Sequence, residues 1–234
     1  MIYSMNVIGR VHTCFKEKFG TPRQAGLIAD APGTLVFEPD YARINAVREL
    51  ERFSHLWILF VFDRVKRDHW QEMVRPPRLG GNRKVGVFAS RSPFRPNPIG
   101  MSAVRLVRVA MTDQGPVLHL AGVDMVDGTP VLDIKPYLPY ADIVDGAGGG
   151  FADEAPEPVF TVCFSEQAEQ DMAALSGRHP HLKSVIRRML ELDPRPAYSG
   201  DADRIYGIHL FDRDVKWRIE DDIIRVLSLD PVNR

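Results

Sequence analysis

Leu56-Trp57-Ile58-Leu59-Phe60-Val61-Phe62 is a continuous, β-rich apolar run, and it reads as a strand buried on both faces. Around it lie further short candidates over residues 85–90, 104–110, 117–120 and 131–134, with Gly115-Pro116 and Asp127-Gly128 as turns between them. A partial helical stripe of Ile44, Val47, Leu50 and Glu51 predicts one short helix over residues 44–53. Strands that do not alternate with long helices argue against a doubly wound parallel sheet and for a β-barrel or strongly curved sheet over residues 1–145. Residues 146–158, rich in Gly, Ala and Pro, read as a linker. Residues 159–234 then predict a small α+β domain. It has a strand over 159–164, a helix capped by Ser165 and running to about Leu175, and a second helix with Leu182, Val185, Ile186, Met189 and Leu190 on one face. A hairpin of residues 215–219 and 223–229 turns at Glu220-Asp221-Asp222 and is expected to pack on those helices.

The 234 residues are enough to bury a real core, and 44% apolar with 26% charged residues is ordinary for a globular protein. No apolar run approaches the roughly 18 residues of a membrane span. The N-terminal residues lack a secretory pattern, and Cys14 and Cys163 give neither a disulfide framework nor zinc spacing. A cytoplasmic setting without membrane or metal is therefore expected. The net charge of −1 hides an asymmetry: residues 64–108 carry 11 Lys/Arg against 2 Asp/Glu, whereas residues 109–234 carry 12 against 22. Such a local excess is the footprint of a surface that meets phosphates; a solvated basic face is the alternative.

The chemistry is concentrated in loops. Phe19-Gly20-Thr21-Pro22-Arg23-Gln24 offers a guanidinium fork and an amide on a proline-fixed backbone. Residues 75–84 and 91–100 hold Arg75, Arg78, Arg83, Lys84, Arg91 and Arg95 among prolines, which block helix and central strand alike and keep the arginines in place. Phe94 offers either a stacking face for a base or a plug into the core. Asp133-Ile134-Lys135-Pro136-Tyr137 would place Asp133, Lys135 and Tyr137 on one face at the strand period of two, either to orient a substrate and move a proton or as a plain salt bridge. Asp145-Gly146-Ala147-Gly148 imitates a Rossmann glycine turn, but Pro156 and Pro158 follow in place of a helix, so no nucleotide fold is expected there.

These strings resemble the TsaA/TrmO family. The resemblance rests on Thr21-Pro22-Arg23-Gln24, Phe53-Ser54-His55-Leu56-Trp57-Ile58-Leu59-Phe60, Arg75-Pro76-Pro77-Arg78-Leu79-Gly80-Gly81-Asn82 and Arg91-Ser92-Pro93-Phe94-Arg95-Pro96-Asn97-Pro98-Ile99-Gly100. It extends through residues 124–137 to Asp193-Pro194-Arg195-Pro196-Ala197-Tyr198, in collinear order. It implies a mainly β protein, a single-sheeted barrel-like methyltransferase domain with a small α+β C-terminal domain, working as a homodimer. The implied reaction transfers a methyl group from S-adenosylmethionine to N6 of threonylcarbamoyladenosine next to the tRNA anticodon. Cofactor contacts are implied for Pro22, Arg23, Gln24, Asp63, Arg64, Arg91, Ala121, Gly122, Val123 and Asp124. Asp133 is the candidate base, with Lys135 and Tyr137 positioning the acceptor. Arg75, Arg78, Arg83, Lys84 and Arg95, with Arg195 and Tyr198, are candidates for contacts to tRNA. Methylation of a small molecule and a non-catalytic RNA-binding module are the competing readings.

Overall fold

The computed structural model describes residues 2–65, 69–195 and 204–232. Their strands, in chain order, are β1 (Gly9–Thr13), β2 (Pro32–Phe37), β3 (His55–Val61), β4 (Met73–Val74), β5 (Val85–Gly86), β6 (Ile99–Thr112), β7 (Gly115–Ala121), β8 (Thr129–Pro136), β9 (Thr161–Phe164), β10 (Tyr206–Leu210), β11 (Arg213–Glu220) and β12 (Ile223–Pro231). Three α-helices accompany them: α1 (Pro139–Asp142), α2 (Glu166–Leu175) and α3 (Leu182–Glu191).

Six strands close into a barrel in the order β1-β2-β7-β6-β3-β8. Closure removes exposed sheet edges, and alternate side chains fill the interior. β3 pairs antiparallel with β6 on one side (Leu56↔Val104, Ile58↔Ser102, Phe60↔Gly100) and with β8 on the other (Ile58↔Ile134, Leu59↔Asp133). Leu56, Ile58 and Phe60 are accordingly buried, with Val11, Leu35, Val104, Leu118, Leu120 and Val131. The opposite face of β3 corrects the expectation of burial on both sides. Trp57, Leu59 and Val61 are only half-buried, and their β6 partners Ile99 and Met101 are 37% and 51% exposed. A one-layer barrel has a single interior, so the outward face of β3 keeps part of its apolar surface exposed.

Three further expectations fail. Residues 44–53 form two short 3₁₀ turns, because Glu49 lies at φ +67° and interrupts the helix. Residues 85–90 are a two-residue strand followed by a 3₁₀ turn in which Val87 is buried and Phe88 points outward. Gly115-Pro116 opens β7; the turn before it is at Asp113-Gln114.

By its contacts the chain divides into two units. One comprises Met1–His12, Thr34–Ala121 and Gly128–Ala155; the other comprises Thr13–Gly33, Gly122–Asp127 and Pro156–Arg234. The second unit carries a sheet in the order β10-β11-β12-β9, with β9 parallel to β12. Ser165 caps α2 by accepting from the Ala168 amide at 3.1 Å, and Leu182, Val185, Ile186, Met189 and Leu190 form the buried stripe of α3. α2 lies against β12 and α3 against β9. Trp217, fully buried, stacks on Tyr206 with ring centroids 4.5 Å apart. Among the described residues no helix is long and apolar enough to cross a membrane, and no cluster of His, Cys, Asp and Glu is arranged to hold a metal.

Candidate active site

Two segments of the second unit are zipped together. The Gly26 amide donates to the Gly122 carbonyl, and the Gly122 amide to that of Ala31, each at 2.9 Å. Thr13 Oγ1 donates to the Met125 carbonyl at 2.9 Å, and the Thr13 amide to Asp127 Oδ1 at 2.9 Å. Lys16 closes the array with Asp127 at 2.9 Å. This places the Pro22-Arg23-Gln24 loop in the same unit as Gly122, Val123 and Asp124. The loop owes its shape to Gly20 at φ +79°, where a Cβ would lie 1.9 Å from Ile208 Cδ1. Glycine alone meets both the angle and the close approach. Arg23 is exposed, Gln24 donates to the Arg23 carbonyl, Val123 is buried, and Asp124 Oδ1 is shielded from solvent. The exposed Arg23 guanidinium suits an anionic group such as a carboxylate.

The remaining candidates for the cofactor stand in the barrel unit. Asp63 and Arg64 are exposed in the turn that ends β3, where the Phe62 amide donates to the Pro98 carbonyl at 2.8 Å. That bond ties the turn to the end of the loop bearing Arg91, itself exposed. Ala121 is buried as the last residue of β7.

Asp133, Lys135 and Tyr137 divide. Asp133 Oδ2 and Lys135 Nζ are 2.8 Å apart, and Asp133 Oδ1 accepts from the Ile134 amide at 2.9 Å. Tyr137 leaves this pair and packs on Trp57 and His55, with centroids 5.7 and 6.3 Å away. Asp133 also lines an open cavity of about 400 Å³ whose other walls include Met5, Ile8, Tyr41, Leu59 and Ile99. A carboxylate at the edge of an apolar cavity, held by an ammonium group, can accept a proton from a ligand lodged there.

The arginines differ in what holds them. Arg75, Arg83 and Lys84 are exposed, and Arg78 donates to the Glu154 carbonyl. Arg95 is half-buried and donates to the carbonyls of Ser90 (2.6 Å) and Val87 (3.2 Å), so it braces its own loop. Arg195 grips Asp193 through Nε (2.8 Å) and Nη2 (2.9 Å) and lies over the rings of Phe160 and Tyr206. Its hydrogen bond to Asp193 outweighs the effect of burial and raises its pKa. Tyr198 lies outside the described residues. Phe94 is half-buried; the exposed aromatics of this region are Trp70 and Phe88, which sequence reasoning passed over because Phe88 sat inside an expected strand.

The model of the tRNA-methyltransferase O N-terminal domain matches residues 10–143, and that of the TrmO C-terminal domain matches residues 157–232. The chain belongs to the TrmO family. It is 46% identical to the tRNA (adenine(37)-N6)-methyltransferase of Escherichia coli K12, over 98% of each chain. A putative S-adenosylmethionine-dependent methyltransferase, RcsF, of Pseudomonas aeruginosa is likewise 46% identical over 98% of each. The crystal structure of TrmO from Pseudomonas aeruginosa superposes with a TM-score of 0.81 at 39% identity, covering 98% of both chains. The TrmO likeness thus spans the barrel and the C-terminal region together.

Proposed function

We propose that this chain is an S-adenosylmethionine-dependent tRNA methyltransferase acting on N6 of the adenosine at position 37, with threonylcarbamoyladenosine as the acceptor nucleoside. The observation that carries the reading is the match along 98% of both chains to a tRNA (adenine(37)-N6)-methyltransferase. S-Adenosylmethionine supplies an electrophilic methyl carbon on a sulfonium. Pro22, Arg23 and Gln24, with Gly122, Val123 and Asp124, are the residues that would hold it: Arg23 for its carboxylate, and the backbone of residues 122–124 with its apolar neighbours for its adenine. Asp63, Arg64, Arg91 and Ala121 are assigned to the same ligand by family resemblance, and each is a target for substitution in a cofactor-binding measurement.

The acceptor nitrogen is part of a urea-like group and is weakly nucleophilic, so its proton must leave as the new N–C bond forms. Asp133 takes that proton. Lys135 holds the carboxylate in place, and Tyr137 contributes to the aromatic wall beside Trp57. Alignment of the reacting groups is a large part of the rate. Arg75, Arg78, Arg83 and Lys84 meet tRNA phosphates, Arg95 acts by bracing its loop, and Arg195 through its own unit. The outward apolar strip of Trp57, Leu59, Val61, Ile99 and Met101 supports a homodimer in which a second copy covers it and, because Leu59 and Ile99 also line the Asp133 cavity, forms part of the acceptor site. Two free thiols and a tRNA substrate fit a cytoplasmic setting.

Methyl transfer from labelled S-adenosylmethionine into one threonine tRNA, prepared with and without the threonylcarbamoyl group, tests the proposal. Label is expected only in the carbamoylated tRNA. Label in neither, with cofactor binding intact, would return the function to small-molecule methylation or RNA binding alone.

A further inference from the structure

β4 and β5 pair antiparallel (Met73↔Gly86, Val74↔Val85), and the Val87 amide extends the ribbon by donating to the Glu72 carbonyl at 2.8 Å. The connecting residues 75–84 carry Arg75, Arg78, Arg83 and Lys84 and no acidic residue. Trp70 enters just before the ribbon and Phe88 leaves just after it. Their rings stack across its base at 27°, with centroids 6.1 Å apart. The Arg95 guanidinium lies 5.5 Å from the Phe88 centroid. Yet Trp70 is 47% and Phe88 70% exposed. An aromatic pair that serves only packing is covered; this one presents apolar ring surface to water beside a run of cations.

Nucleic acid matches both halves of that surface, because phosphates meet the cations while unpaired bases stack on aromatic rings. We propose that Trp70 and Phe88 form a stacking platform for an unpaired base of the RNA loop, with Arg75, Arg83 and Lys84 contacting the flanking phosphates. The inference rests on the tRNA reading above and adds a base subsite to it. The platform contributes affinity and positions the loop; it takes no part in proton or methyl transfer.

The test uses the full chain and threonylcarbamoylated threonine tRNA, with dissociation constants measured over a range of salt, S-adenosylmethionine affinity by calorimetry, and oligomeric mass. Trp70→Ala and Phe88→Ala are each expected to weaken tRNA binding by about 5- to 150-fold, the loss of one base–aromatic stack. The slope of log affinity against log salt and the cofactor affinity stay unchanged. Trp70→Phe and Phe88→Tyr, which keep a ring, retain most of the affinity. Arg83→Ala instead lowers the slope by about 0.7–0.9, the value of one phosphate contact. Unaltered tRNA binding by both alanine variants, while the parent protein methylates tRNA normally, would overturn the platform alone; a fall in oligomeric mass in those variants would then assign the patch to a second copy. Failure of the parent protein to bind tRNA would overturn both the platform and the tRNA reading.

Discussion

Asp133→Asn separates chemistry from stability, because the structure sets the two effects far apart. The ion pair with Lys135 joins side chains that are 46% and 62% exposed, and such pairs contribute about 0–1 kcal/mol. Asparagine keeps an oxygen for the Ile134 amide, so that hydrogen bond survives. The unfolding temperature should therefore fall by no more than about 2–4 °C for a chain of this size. Loss of a general base costs about 100- to 10,000-fold in rate, or about 3–5 kcal/mol of barrier. Single-turnover methyl transfer at saturating cofactor and tRNA reads the chemical step, and thermal unfolding of the same preparation reads stability. Lys135→Met keeps the carboxylate but loosens it and should fall between the two proteins. A variant that transfers methyl at the parental single-turnover rate would remove Asp133 from the mechanism and leave a plain surface ion pair.

Gly100→Ala should destabilise the barrel by about 1–3 kcal/mol in denaturant unfolding, since a Cβ there would lie 2.2–2.7 Å from three atoms of the Phe60 ring. Phe60→Leu in that background should restore part of the loss, and strictly additive effects would contradict the contact. Burial pushes the Cys14 thiol up from 9.0 to about 12, so the native protein should alkylate at Cys163 alone at pH 8 and at both thiols in denaturant. Between pH 9 and 12 the unfolded chain releases the Cys14 proton that the folded chain keeps, so this group makes stability fall as pH rises through that window. Arg195→Ala should cost about 1–3 kcal/mol by freeing a half-buried Asp193, with no change in the salt slope of tRNA binding; a reduced slope would make Arg195 a phosphate contact.

What was legible in the sequence was local. The apolar run of β3, the Ser165 cap and the 3.6-residue stripe of α3 each declare their element within a few residues. β1, β2 and β10 were missed because five or six residues with Gly, Pro or charges at alternate positions carry too little pattern. Residues 44–53 carried a helical stripe, but Glu49 at φ +67° breaks it, and no local signal marks that angle. The candidate site was legible as motifs and not as geometry. The zipper that joins Gly26 and Ala31 to Gly122 links residues more than ninety positions apart, and only the folded backbone brings them together. Arg95 read like Arg83 by type and setting, yet its donors meet Val87 and Ser90 carbonyls, a difference that rests on how one loop closes on itself.

The decisive measurement locates the transferred methyl group. tRNA that carries threonylcarbamoyladenosine is incubated with the protein and S-adenosylmethionine, digested to nucleosides and analysed by mass spectrometry with fragmentation. The expected product is threonylcarbamoyladenosine heavier by one methyl group in place of hydrogen, with the added mass on N6, and the Asp133→Asn protein should form it about 100- to 10,000-fold more slowly. A methyl group on any other nucleoside, or on the threonyl moiety, would contradict the proposed reaction.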